Sequence, residues 1–172
     1  MAVDPDSLRI VHYPDPVLRE PAAPVDPADP HVQAVARRMI DLMHQAQGVG
    51  LAAPQVGLPW RLFVANPTGQ PDDDRVYFNP VLSDPDPETE PADEGCLSLP
   101  GVTVLVTRPR AVQIDAVNLA GEAFTERSDN LLARIWQHET DHLDGRLILD
   151  RMNAADRIAN RRAIRELEAA RP

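Results

Sequence analysis

The sequence predicts a single α+β domain, with antiparallel β-sheets packed around a central helix and further helices towards both ends of the chain. Three observations lead there. Strand-forming runs gather between residues 61 and 126, helix-period runs flank them, and no regular βαβ alternation joins the two kinds of element. At 172 residues, 43% hydrophobic and 26% charged, the chain has material for one substantial core, so residues 1–172 are read as one domain.

Residues 5–30 are rich in proline and predict an irregular surface segment. The first helix is expected over residues 31–47, where Val32, Val35, Ala36, Met39, Leu42, Met43 and Ala46 recur at helical spacing. Asp29-Pro30 supplies a cap and a first-turn proline, and Gly48 a terminating glycine. β-Branched stretches follow at residues 61–65, 75–78, 102–106, 112–117 and 123–126, the last two joined through a hairpin at Leu119-Ala120-Gly121-Glu122. The acidic run SDPDPETEPADE, residues 83–94, reads as irregular surface. A second helix is expected over residues 129–144 behind a Ser128 or Asp129 cap, with Leu131, Ile135, His138 and His142 on one stripe. A third, over residues 154–170, is short of apolar positions and is expected to pack only in part.

A formal net charge of −10 argues against broad binding to DNA or to an anionic membrane. No apolar run approaches the length of a membrane span, and the first residues lack a basic start followed by an apolar stretch, so a cytoplasmic protein is expected. The single cysteine, Cys96, has no intramolecular disulfide partner, which suits a reducing compartment and leaves the thiol free for chemistry.

The most informative stretch is Gln137-His138-Glu139-Thr140-Asp141-His142, an H-E-x-x-H sequence inside the second helix. Residues four apart share a helix face, so both imidazoles can reach one divalent ion while Glu139 approaches the water that the ion activates. The chemistry this implies is hydrolysis. The bland alternative is an exposed charged helix that matches by chance, and the apolar patterning around the motif weighs against it.

A catalytic ion of this kind takes three protein ligands and keeps an open position. The metzincin extension is excluded, because its final histidine position is Ile148. Thermolysin-like enzymes use a later glutamate, which makes Glu166 or Glu168 eligible. Cys96 competes with them, since thiolate suits zinc or ferrous iron, although a lone cysteine is more often a small buried residue. On residue types and spacing alone the third ligand stays open.

Three segments taken together carry more. Gly48-Val49-Gly50-Leu51-Ala52-Ala53-Pro54-Gln55-Val56-Gly57, then Glu94-Gly95-Cys96-Leu97-Ser98-Leu99-Pro100, then the H-E-x-x-H stretch running on into His142-Leu143-Asp144-Gly145 occur in that order. This set resembles the peptide deformylases, over roughly residues 8–152. The resemblance implies hydrolysis of the formyl group from the N-terminal formyl-methionine of new polypeptides, with release of formate. It implies Cys96, His138 and His142 as metal ligands, Glu139 as general base, and the Gln55 side-chain amide with the Leu97 backbone N–H as oxyanion donors. It further implies a substrate site from Val49, Gly50, Glu94, Gly95, Leu131 and Ile135, although plain core packing accounts for Leu131 and Ile135 almost as well. Ferrous iron is the metal the family implies in the cell, with zinc, nickel or cobalt equally suited to the ligand set in purified protein.

Two positions depart from the family pattern: Thr140 stands where an apolar residue is usual, and Asn130 where a glycine is common. Past the motifs, Arg157, Arg161 and Arg165 recur every four residues with Arg162 beside them. The resemblance makes this stripe a possible ribosome-docking surface; the plain alternative is a solvated helix with ion pairs such as Arg162–Glu166.

Overall fold

The computed structural model describes residues 3–170. Helix α1 (Pro30–Gln45) opens on Asp29, whose side chain accepts the His31 N–H at 2.8 Å. It closes differently from expectation. Gln47 takes the left-handed backbone region at φ 56°. Its N–H reaches the His44 carbonyl at 3.0 Å while the Gly48 N–H reaches that of Met43 at 2.9 Å, the paired closure of a Schellman ending. Gly48 is a glycine for another reason: a Cβ there would sit 2.8 Å from Leu97 Cδ1.

Seven strands follow: β1 (Gly50–Ala52), β2 (Leu62–Ala65), β3 (Arg75–Ser83), β4 (Thr89–Glu94), β5 (Val104–Pro109), β6 (Val112–Val117) and β7 (Ala123–Ser128). Five form an antiparallel sheet in the order β1-β2-β3-β6-β7, and β4 pairs with β5 alone. Two of the strands lie outside the expected set. β1 is a Gly-Leu-Ala triplet too short to show a period. β4 lies in the acidic stretch expected to be irregular, and it is a strand because β5 pairs with all of it, from Thr89↔Pro109 to Glu94↔Val104; an edge strand tolerates Pro91.

At β1 and β2 the larger sheet is buried on both faces. Along β2, Leu62 and Val64 point to α1 with Val35, Met39 and Met43, while Phe63 and Ala65 point to the other layer with Tyr77, Ile114 and Trp136. That second layer is α2 (Leu131–Leu143), the central helix. Its cap is Asn130, not Ser128 or Asp129: the Asn130 side chain accepts the Leu132 N–H at 3.0 Å, and Ser128 donates to it at 2.9 Å. The end of α2 is set by Gly145 at φ 71°, whose N–H bonds the His142 carbonyl while the Arg146 N–H bonds that of Asp141. This second Schellman closure fixes His142 in the last turn.

α3 (Ala154–Ala169) lays Ala163, Ile164 and Leu167 against a third cluster containing Val104, Val106 and Leu147. Asn160 ties it down by exchanging two hydrogen bonds with the Thr103 backbone, at 2.7 and 3.1 Å. Among the described residues no helix is long and apolar enough to cross a membrane.

Candidate metal centre and active site

His138 and His142 stand one turn apart on α2, their Nε2 atoms 3.3 Å from each other. Cys96 arrives from the turn between β4 and β5 and brings its Sγ to 3.3 Å from His142 Nε2. All three ligand atoms lie within 4.8 Å of one another. With metal–ligand bonds of about 2.0–2.3 Å, two ligands of a tetrahedral ion stand roughly 3.3–3.6 Å apart, so the trio has the spacing of one coordination face.

The electrostatics suit a cation. Burial opposes charge on His138, but hydrogen bonds with Cys96 and Glu94 outweigh it and push the imidazole up to about 10. Surroundings negative enough to hold that proton also hold a metal ion, whose binding releases the proton. His142 is drawn well below its ordinary value, first by burial and then by the charge of His138, which keeps its ring neutral.

Behind the trio lies a buried ionic network. Glu94, 6% exposed, accepts from Arg108 Nε at 2.6 Å and Nη2 at 2.8 Å, from Arg134 Nη1 at 2.7 Å and from His138 Nδ1 at 2.8 Å. Arg108 also donates to Asp141 at 2.9 Å, and Arg151 reaches the same carboxylate at 2.7 Å. Glu94 was expected at the substrate; it does line the cavity, but its oxygens are given to these donors. Arg108, Arg134 and Asp141 were not identified from sequence as site residues. Arg108 was detectable, since strand alternation puts it on the inward face with Val104 and Val106, and a buried arginine requires acidic partners.

Glu139 is 4% exposed, and its Oε2 has no hydrogen-bond partner. Burial raises its carboxyl to about 7, with the His138 charge acting against the shift. It sits under β1 at Gly50, where a Cβ would lie 2.9 Å from Glu139 Cδ and 3.0 Å from Ile135 Cγ2. Gln55, in the short 3-10 turn Ala53–Val56, accepts the Ala52 N–H on Oε1 at 2.9 Å. Its Nε2 is thereby turned towards Cys96 Sγ at 3.4 Å and Ser98 Oγ at 3.3 Å. Among the described residues no acceptor takes the Leu97 backbone N–H.

These groups border one cavity of about 450 Å³, to which Val49, Gly50, Gly95, Leu131 and Ile135 also contribute. Ile135 is buried, whereas Val49 and Leu131 are 45% and 50% exposed and form apolar lips. The glutamates of the rival ligand set lie elsewhere. Glu166 pairs with Arg162 at 2.8 Å on the exposed face of α3, and Glu168 accepts from Tyr13. His44 likewise stands apart, 2.6 Å from Asp74.

The sequence pattern of the polypeptide deformylase family matches residues 7–158. The chloroplastic/mitochondrial peptide deformylase 1B of Arabidopsis thaliana is 45% identical over 147 residues, 84% of this chain and 54% of the plant protein. A Thermotoga maritima peptide deformylase is 41% identical over 159 residues, 92% of this chain and 95% of that protein. The crystal structure of Plasmodium falciparum peptide deformylase superposes with a TM-score of 0.90 at 34% identity, over 95% of this chain and 99% of that one. Matching motifs, matching fold and the convergence of the three donors on α2 agree, and the chain belongs to the peptide deformylase family of hydrolases.

Proposed function

We propose that this chain hydrolyses the formyl group from the N-terminal formyl-methionine of newly made polypeptides, releasing formate, with a divalent cation held by Cys96, His138 and His142. The observation that carries this reading is the meeting of that trio, whose Cys96 and His138 border the cavity, with the buried Glu139 carboxylate and the oriented Gln55 amide on the same cavity wall. When bound, the cation is a Lewis acid that lowers the pKa of water towards about 7. Glu139, whose proton affinity lies near neutrality, takes the proton of the attacking water and returns it to the leaving amine nitrogen. The Gln55 Nε2–H and Leu97 N–H donate to the oxygen that gains charge on the formyl carbon, an interaction whose loss typically costs about 2.7–4 kcal/mol of barrier. Val49, Leu131 and Ile135 hold the methionine side chain, while Gly50 and Gly95 admit its backbone at close range.

Ferrous iron is the cellular metal in this reading, with zinc, nickel or cobalt as substitutes, and the compartment is the cytoplasm. The partner is a nascent chain at the ribosome, met through the arginines of α3: Arg157, Arg161 and Arg165 border a groove of about 560 Å³ with Tyr13 and Arg19. Because α3 is packed and tied to Thr103, replacing the three arginines tests this contact better than deleting the helix, and co-sedimentation with ribosomes should weaken with salt.

The decisive experiment compares formate release from a formyl-Met peptide with cleavage of internal peptide bonds, using anaerobically metal-loaded protein. Formate release alone is expected. Internal cleavage without formate overturns the reading in favour of a metallopeptidase.

A further inference from the structure

We infer that Asp93 gives this hydrolase a charge preference, favouring substrates with a basic residue one or two positions after the methionine and disfavouring acidic ones there. The inference rests on the deformylase reading above and concerns the rim of the same cavity. Besides the proposed ligand Cys96, five charged or titratable side chains border that cavity: Asp93, Glu94, Arg134, His138 and Glu139. Four are committed to its wall. Glu94 is saturated by Arg108, Arg134 and His138, and Glu139 lies buried under Gly50.

Arg134 is the one arginine or lysine that borders the cavity, and its donors are used inward. Nη1 serves Glu94 at 2.7 Å and the Val106 carbonyl at 3.0 Å, while Nη2 serves the Glu90 carbonyl at 2.8 Å. Asp93 remains. It is exposed and stands on β4 next to Glu94, and its carboxylate has neither a hydrogen bond nor an ion pair with any described residue. Of the other carboxylates of this strand and its approach, Glu88 and Glu90 face Arg110 and Asp84 faces Arg127, and neither these nor Asp86 border the cavity.

The rim therefore presents one carboxylate that has no ion-pair partner. A formylated peptide carries no α-ammonium group, so the first positive charge it can offer is a side chain after the methionine. The chain's net charge of −10 adds a long-range field of the same sign. Two unit charges about 4 Å apart in water interact by about 1 kcal/mol, which is roughly a fivefold effect on binding. Because Asp93 does not border the reacting atoms, the effect belongs in KM.

The test measures kcat/KM for formyl-Met peptides carrying Lys, Gln or Glu at the second or the third residue, at low and high salt, with metal-loaded wild-type protein and the Asp93→Asn and Asp93→Lys variants. At low salt Lys should exceed Glu by at least about threefold in one of the two positions. The ratio should collapse towards one in Asp93→Asn and at high salt, and invert in Asp93→Lys. Formate release that ignores peptide charge, or a Lys/Glu ratio unchanged in Asp93→Asn, overturns this inference alone. No release from any peptide overturns the deformylase reading and this inference with it.

Discussion

His138 Nδ1 lies 2.8 Å from Glu94 Oε1, and because an ionised carboxylate only accepts, the hydrogen of the imidazole must sit on Nδ1. Once metal binding releases the second proton, the free lone pair of His138 is on Nε2, the side shared with Cys96 and His142. Removing Glu94 should loosen this arrangement and leave Arg108, 2% exposed, without its bidentate partner. We expect Glu94→Ala to lower metal affinity about 10–100-fold. It should also cost about 3–5 kcal/mol of stability, read from metal titrations and denaturant midpoints.

The same carboxylate makes stability depend on acid. Burial works against its charge, but hydrogen bonds from Arg108 and His138 prevail and hold it well below its ordinary 4.5. A group depressed in the folded state contributes stability that is complete above its unfolded value and fades as pH falls towards the folded value. The stability gap between wild type and Glu94→Gln should therefore narrow from about pH 6 to about pH 3. A gap that stays constant in urea titrations across that window would contradict the assignment.

Cys96→Ser should lose most bound metal on dialysis, because a hydroxyl is a poor substitute for thiolate. Glu166→Ala and Glu168→Ala should retain it, since those side chains lie on α3 beside Arg162 and Tyr13. Metal analysis of the three variants distinguishes the two ligand sets.

Glu139→Gln should bind metal and lose about 10²–10⁴-fold in turnover, the usual contribution of a positioned base. Gln55→Ala should also keep metal while kcat falls about 10²–10³-fold. Metal loss in the Gln55 variant would instead assign it to holding Cys96, whose Sγ its Nε2 approaches at 3.4 Å.

Gly50→Ala should displace Glu139 and Ile135, which a Cβ would approach to 2.9 and 3.0 Å. Turnover should drop about 10²-fold with metal content unchanged, as expected for a small misplacement at a reacting group. Gly121→Ala is the control: it strains a turn at φ 82° but meets nothing within 4 Å, so activity should persist while the thermal midpoint falls.

Local chemistry was readable from the chain alone. Helical spacing put His138 and His142 on one face, the order of three motifs tied Cys96 and Gln55 to them, and the α1 cap at Asp29 followed from residue type. The endings and edges were less legible. Gln47 closes α1 in a conformation that favours glycine, because backbone hydrogen bonds to His44 and Met43 support it; Gly48 is small to clear Leu97. Asn130 caps α2 from a position where the family pattern has glycine, and β4 exists only because β5 pairs with it.

By itself, then, the sequence determined an α+β chain with an H-E-x-x-H helix and a family resemblance strong enough to nominate its ligands. Only the tertiary structure brought Cys96, and not the α3 glutamates, beside His138 and His142, gave Glu94 the partners His138 and Arg108, and left the Asp93 carboxylate at the rim without an ion pair. The reason is physical: a residue's type and local period are set by its neighbours in the chain. Its burial and its charge partners are set by segments far away in sequence, as with Glu94 and His138, 44 positions apart.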